Sequence, residues 1–195
     1  MARRKGDVAG GATDATDATG APRSTVREAL WGWLISAACF GAVALILLLT
    51  PGALNLGAFS DFAFKTPDLA PLIALSPLVQ FHIYTAVAAL LIGPVQFAMP
   101  KGTRTHRAVG WVWAACMGAT AIATLFIRDM RDGAFSPIHL FSLMALIGLP
   151  WALWLARAGQ REGHVWAMVG LYIGLVISGA TALAPGRVMW DILAR

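Results

Sequence analysis

Residues 78–99 read LVQFHIYTAVAALLIGPVQFAM, and this stretch decides the class of the protein. It contains no Asp, Glu, Lys or Arg, and it is long enough to cross the ~30 Å hydrocarbon core of a bilayer as one helix. Two polar features interrupt the apolar run, namely His82 and the sequence Gly-Pro-Val-Gln-Phe at 93–97. The stretch therefore predicts a transmembrane helix that carries polar groups into the membrane.

Four further runs have the same length and the same lack of interior charge. They predict membrane helices at 30–50, 106–127, 138–156 and 164–184. The chain is 58% hydrophobic and only 13% charged, whereas soluble domains carry roughly 25% charged residues. The first run is longer than the apolar core of a signal peptide and is expected to remain as an anchor. The predicted fold is an all-α, polytopic membrane helix bundle with five transmembrane helices.

Composition separates the chain into a tail and a membrane domain. Residues 1–27 contain Ala, Thr, Asp and Gly repeats with few large apolar side chains, which predicts a disordered cytoplasmic tail. Residues 28–195 form the five-helix domain. Its longest connection, 51–77, either lies on the membrane surface or packs over the mouth of the bundle.

The distribution of basic residues predicts the orientation. With a cytoplasmic N-terminus and a periplasmic C-terminus, ten of the 15 Lys and Arg residues fall on the inner side, as the positive-inside rule requires. The net charge of +5 is explained in this way and gives no nucleic-acid signal. Tryptophan is the second indicator, because its ring prefers the membrane interface. Seven of the eight tryptophans are predicted near the inner face: Trp31, Trp33, Trp111, Trp113, Trp151, Trp154 and Trp166.

The four histidines are the candidate functional residues. His82, His139, His106 and His164 each belong to a different predicted helix, from the second to the fifth. By depth, His82 and His139 form an outer pair, while His106 and His164 form an inner pair. A six-coordinate b-type haem takes two axial imidazoles. The pattern predicts two haem b groups and an electron path across the membrane.

Two other interpretations of these residues remain open. Stripes of small residues follow His82 and His106 on their helices, and they either make room for a flat macrocycle or serve helix packing. The histidines could merely cap helices in a haem-free accessory subunit or small transporter, although no interior carboxylate or cation suggests transport. A site for a single metal ion ranks last, because two histidines per level are too few for a closed zinc site.

Proline in the second helix has a predicted structural role. Pro94 has no N–H and therefore frees a backbone carbonyl one turn earlier, which a neighbouring polar group can satisfy. Gly93, Pro94 and Gln96 are together expected to form a kink with a polar group beside it.

The motifs resemble a bacterial family of predicted membrane proteins of unknown function. Its pattern joins a histidine helix, Gly-Pro-x-Gln-Phe at 93–97, and His-Arg-x-x-Gly at 106–110, and it continues through His139 and His164 to Pro-Gly-Arg at 185–187. The resemblance covers about residues 75–190 and implies a bacterial inner-membrane location. That family resembles in turn the di-haem transmembrane b-type cytochromes, which implies a quinone or small-molecule electron donor. Where the family usually has arginines after the last histidine, this chain has Val165 and Trp166.

The predicted orientation can be tested with reporters fused after Arg195. Green fluorescent protein, which folds in the cytoplasm, should remain dark there, and alkaline phosphatase, which needs the periplasm, should be active. The same pair fused in the loop after Met99 should give the opposite result, because that loop is predicted to be cytoplasmic. A fluorescent C-terminal fusion contradicts either the helix count or the orientation.

Overall fold

The computed structural model describes residues 70–127, 138–183 and 188–193, with eight single residues before them at positions 31, 34, 37, 38, 41, 42, 45 and 66. All regular secondary structure in these ranges is helical. The helices are α1 (Ala70–Ile73), α2 (Pro77–Ala98), α3 (Arg104–Phe126), α4 (Ile138–Arg157), α5 (Arg161–Ala182) and α6 (Val188–Leu193).

Four of the predicted membrane helices correspond to α2, α3, α4 and α5. Each is long and apolar enough to cross a membrane, and the all-helical membrane fold is confirmed. The observed bounds lie within three residues of the predicted ones. The predicted tail at 1–27 lies outside the described residues, and the first predicted helix lies mostly outside them. The seven residues described between positions 31 and 45 are helical, and the ring of Trp31 meets that of Trp151 on α4 edge-on, with centroids 6.3 Å apart.

Local capping explains where two of the helices begin. Ser76 precedes α2 and its hydroxyl accepts from the Val79 N–H, while Pro77 supplies a first residue that needs no donor. Thr103 precedes α3 and its hydroxyl accepts from the backbone N–H of His106 at 3.1 Å. This cap starts α3 at Arg104, two residues before the apolar run from which the start at 106 was predicted.

The four long helices pack as a closed ring. Neighbours in the ring are α2 with α3, α3 with α4, α4 with α5, and α5 with α2. Consequently α2 lies diagonally opposite α4, and α3 lies diagonally opposite α5. The centre of the ring is apolar, and its largest fully buried side chains are Trp113 and Leu155.

The two short helices pack together beside the ring. α1 contacts α6, and Leu72 and Ile192 are buried there. The side-chain amide of Gln80 at the start of α2 donates to the carbonyls of Ile73 and Leu75. The end of the 51–77 connection is therefore packed against other parts of the chain.

The outward face of α2 is apolar and exposed. Side chains that recur every three or four residues are not covered by the rest of the described chain: Leu78, Phe81, Tyr84, Val87, Leu91 and Val95. A continuous exposed apolar stripe on a helix of membrane-spanning length is the surface expected toward lipid. The chain is an integral membrane protein that contacts the bilayer through such faces.

The Gly-Pro-x-x-Phe part of the motif forms the packing site of the Tyr172 side chain of α5. The Tyr172 hydroxyl donates to the carbonyl of Leu90 at 3.1 Å, which is the carbonyl that Pro94 cannot satisfy. Gly93 makes the approach possible, because a Cβ at that position would collide with the Tyr172 ring. Phe97 packs edge-on against the same ring at 5.3 Å. The neighbouring polar group expected for Pro94 is thus Tyr172, on another helix.

Trp113 departs from its predicted position in the interfacial belt. Its side chain is 2% exposed, and its indole N–H donates to the Ala89 carbonyl of α2 at 2.9 Å. A backbone acceptor on the neighbouring helix lets the indole lie inside the bundle without an unsatisfied N–H. Trp111, Trp154 and Trp166, by contrast, are exposed, as expected for membrane-interface residues.

A double-mutant cycle tests the hydrogen bond from Tyr172 to the Leu90 carbonyl. Tyr172→Phe leaves the Leu90 carbonyl without a donor and should lower the free energy of unfolding in detergent by roughly 1 kcal/mol. In a Pro94→Ala background the backbone N–H of residue 94 can satisfy that carbonyl, so Tyr172→Phe should cost clearly less. Tyr84→Phe is the matched control, because Tyr84 is exposed on α2. Equal costs in both backgrounds contradict the assignment.

Candidate functional site

The structure places the four histidines as two pairs at opposite ends of the ring. His82 and His139 lie near the starts of α2 and α4, which we call the His82 end. His106 and His164 lie near the starts of α3 and α5, which we call the His106 end. Each pair therefore occupies two diagonally opposed helices. His139 is buried at 6% exposure, and the other three are half-buried.

At the His106 end, the imidazoles of His106 and His164 are within range of mutual electrostatic interaction. His82 and His139 both continue a stripe of buried residues on their own helix, which leads on α2 to Ala89 and on α4 to Ser142. All four histidines thus lie on the faces of their helices that are turned toward the other helices, and not on the faces turned toward lipid.

The imidazole of His82 is held by the neighbouring helix α3. Its Nδ1 lies 3.2 Å from the carbonyl oxygen of Thr120 and 3.1 Å from the hydroxyl of Thr124. A carbonyl can only accept, so this contact requires the proton to be on Nδ1. The Thr124 hydroxyl in turn donates to the Thr120 carbonyl at 2.8 Å, so its oxygen is left to accept from the His82 imidazole. In the neutral ring, Nε2 then carries the lone pair.

Two threonine hydroxyls extend this polar contact between α2 and α3. The Thr120 hydroxyl lies 2.9 Å from that of Thr85 and 2.8 Å from the carbonyl of Cys116. Thr85 donates to the carbonyl of Phe81, one turn back on its own helix. The sequence prediction missed these threonines. The available signal was Thr120 and Thr124, which are four residues apart and therefore share one helix face.

The imidazole of His164 is held in the same manner by α4. Its Nδ1 lies 2.9 Å from the carbonyl oxygen of Ala152, in the last third of that helix. The contact again places the proton on Nδ1 and the lone pair on Nε2. Two of the four histidines therefore use a backbone carbonyl of an adjacent helix to set the tautomer.

His106 has a different partner, the side chain of Gln96. The Gln96 amide nitrogen donates to the His106 backbone carbonyl at 2.8 Å, and it lies 3.1 and 3.3 Å from the two ring nitrogens. A point nearly equidistant from both ring nitrogens at this range lies over the ring face, whereas the nitrogen lone pairs and N–H bonds point outward in the ring plane. Gln96 therefore covers the face of the imidazole.

Glycines of the small-residue stripes are filled by protein side chains. A Cβ at Gly93 would meet Tyr172, and one at Gly110 would lie 2.9 Å from the Gln96 amide nitrogen. At Gly118 the nearest atom is a methyl carbon of Leu149, at 3.8 Å. Of the two interpretations that the sequence left open for these stripes, packing between helices accounts for these three positions.

The donor set fits axial ligation of haem iron at His82 and His164. A ligating histidine typically donates its other ring N–H to a carbonyl, which fixes the ring orientation and raises the basicity of the ligating nitrogen. His82 and His164 both have this arrangement. The Gln96 amide lies over the face of the His106 ring, and His139 is buried on the inward face of α4. Within the described ranges, no three His, Cys, Asp or Glu side chains are grouped as a metal cluster.

The tautomers of His82 and His164 can be measured directly. In protein labelled with ¹⁵N-histidine and held at a pH where the rings are neutral, both should show the Nδ1–H pattern in long-range ¹H–¹⁵N spectra. Each signal is assigned by its loss in His82→Gln or His164→Gln. An Nε2–H pattern at either residue contradicts the carbonyl contact assigned to it.

Comparison with known proteins identifies the family. A family model described as Predicted membrane protein (DUF2306) matches residues 79–193, a range that includes all four histidines. No curated protein and no solved structure matches the chain significantly. The family match covers more than half of the chain, and the predicted resemblance to a family of membrane proteins of unknown function is confirmed. The chain belongs to the DUF2306 family of predicted membrane proteins.

Proposed function

We propose that the chain is a di-haem b-type membrane protein that carries electrons across the bilayer. His82 and His139 are the axial pair of one haem, and His106 and His164 are the axial pair of the other. The observation that carries the proposal is the state of His82 and His164, since each gives Nδ1–H to a carbonyl of an adjacent helix and keeps Nε2 as a donor atom. Bound haem iron supplies one-electron oxidation and reduction.

The ring of helices supports this assignment by its geometry. Both pairs are on diagonal helices. The carbonyls of Thr120 and Ala152 orient their histidines from adjacent helices of the ring. Between the two ends, Trp113 and the apolar residues around it exclude water.

The orientation in the membrane belongs to the same proposal. Exposed basic residues gather at the His106 end: Lys101, Arg104, Arg107, Arg157 and Arg161. Arg157 also lies over the ring of the exposed Trp111, 5.4 Å from its centroid. This combination suits the cytoplasmic face of a bacterial inner membrane, with the N-terminus inside. The same cations can attract an anionic small-molecule donor or a quinone headgroup to the inner haem.

The second candidate is a haem-free membrane protein, such as an accessory subunit or a small transporter with structural histidines. One observation favours it, namely that Tyr172, Gln96 and Leu149 fill the space beside the glycines of the small-residue stripes. Under this alternative the histidine contacts serve helix packing alone. The visible spectrum of the purified protein separates the two candidates.

Reduced-minus-oxidised spectra of protein purified in detergent, with haem supplied during expression, test the proposal. The wild type should show sharp reduced b-type bands. His82→Ala should remove or convert only the haem at the His82 end, and His106→Ala only the other, so each should leave about half of the absorbance. Gln80→Ala perturbs the same end of α2 as His82→Ala without removing an imidazole, and it should keep the full spectrum.

Two results count against the proposal in different ways. A folded wild type without haem absorbance favours the haem-free candidate, which predicts only stability changes of roughly 0.5–3 kcal/mol for the alanine variants. A wild type with haem whose four single histidine variants all retain the full spectrum refutes the ligand assignment.

A further inference from the structure

Gln96 is a buried polar side chain whose hydrogen bonds are incomplete. Its side chain is 8% exposed, and the amide oxygen Oε1 has no hydrogen-bond partner within the described part of the chain. The amide nitrogen donates to the His106 carbonyl and covers the imidazole face. Glycine at position 110 makes this approach possible, because a Cβ there would lie 2.9 Å from the amide nitrogen.

Packing alone gives no reason for glutamine at this position. A buried amide oxygen without a donor is destabilising, and an apolar side chain of similar volume, such as Met, would fill the same space without that cost. Within the described residues, every polar contact of the Gln96 side chain is with His106. The contact joins the end of α2 to the start of α3.

A comparison of the histidines shows what Gln96 can supply. His82 and His164 each have an acceptor for Nδ1–H, the carbonyls of Thr120 and Ala152. In the described residues, the side-chain group that contacts the ring of His106 is the Gln96 amide, whose nitrogen lies over the ring face. The nitrogen of that amide also donates to the His106 backbone carbonyl, so one side chain restrains both the backbone and the ring of this histidine.

We infer that Gln96 is the positioning residue for His106. Resting on the proposed function, it does for the His106 end what the Thr120 and Ala152 carbonyls do for the other two rings. It restrains the imidazole from its face in the present state. Its bond to the backbone carbonyl and its contact with the ring face hold the imidazole in one orientation. The residue acts through His106 and does not itself touch the iron.

Gln96→Met is the decisive variant, because it keeps the length of the side chain and removes both amide groups. In haem-loaded protein it should lower the b-type absorbance contributed by the centre at the His106 end, since an imidazole that is no longer restrained binds its iron less firmly. Gln96→Glu also removes the amide N–H that donates to the His106 carbonyl, and it should have the same effect. The centre at the His82 end should keep its absorbance in both variants.

Haem-free protein supplies an independent measurement. In protein labelled with ¹⁵N-histidine, Gln96→Met should broaden or split the signals of His106 and leave those of His82 and His164 in place. Gln80→Met is the matched control, because Gln80 lies on the same helix and bonds only to loop carbonyls at the other end. It should leave the His106 signals unchanged.

The outcomes distinguish this inference from the proposed function. If the wild type binds no haem but Gln96→Met alters only His106, the proposed function fails and the positioning of His106 stands. If haem binds and Gln96→Met changes neither the absorbance of the centre at the His106 end nor the His106 signals, the positioning role is refuted while the ligand assignment stands. If Gln96→Met moves every histidine signal, that variant has lost the fold of the bundle. Gln96→Glu then decides the question. An unchanged His106 signal in Gln96→Glu refutes the positioning role of Gln96.

Discussion

In a bilayer, a backbone carbonyl without a donor cannot turn to water, and Pro94 creates such a carbonyl at Leu90 in the middle of α2. The Tyr172 hydroxyl satisfies it from α5, and Gly93 provides the space for the ring. This bond joins the first and last helices of the ring. Closure of the ring makes α2 diagonal to α4 and α3 diagonal to α5, so the positions of all four histidines depend on it.

Backbone carbonyls of adjacent helices also orient the histidines. The rings of His82 and His164 use carbonyls of α3 and α4, respectively, so each contact runs along the ring of helices instead of across it. An acceptor at Nδ1 leaves Nε2 with the lone pair, which is the state of a ligand or of a proton acceptor. The same contacts tie neighbouring helices together, and stability and ligand orientation therefore depend on the same hydrogen bonds.

The two ends of the bundle differ in how this is achieved. At the His82 end, the hydroxyls of Thr85 and Thr120 bond to each other between α2 and α3, and the Thr124 hydroxyl contacts the His82 ring. At the His106 end, one buried amide, that of Gln96, contacts the ring and the backbone of the same histidine. The Thr124 hydroxyl donates to a carbonyl of its own helix, whereas the Gln96 oxygen, an acceptor, has no donor in the described part of the chain. The His106 end is consequently the one whose polar contacts a substitution can change most.

The sequence by itself determined the number, type and approximate bounds of α2 to α5. Membrane insertion depends on the length of an uncharged apolar run, and that is a local property of the chain. The same reasoning placed one histidine on each helix and paired them by depth, because position along a helix converts directly into depth.

Only the tertiary structure decided which partners these groups meet. Pro94 predicted a backbone carbonyl without a helical donor. The donor to that carbonyl is the Tyr172 hydroxyl, which lies 82 positions away from Leu90 in the chain. The buried place of Trp113, the tautomers of His82 and His164, and the contact of Gln96 with His106 were likewise not predictable from composition. The physical reason is that contacts between helices depend on how each helix is rotated about its own axis. That rotation is set by packing against neighbours, to which a nearly uniform apolar sequence gives little guidance.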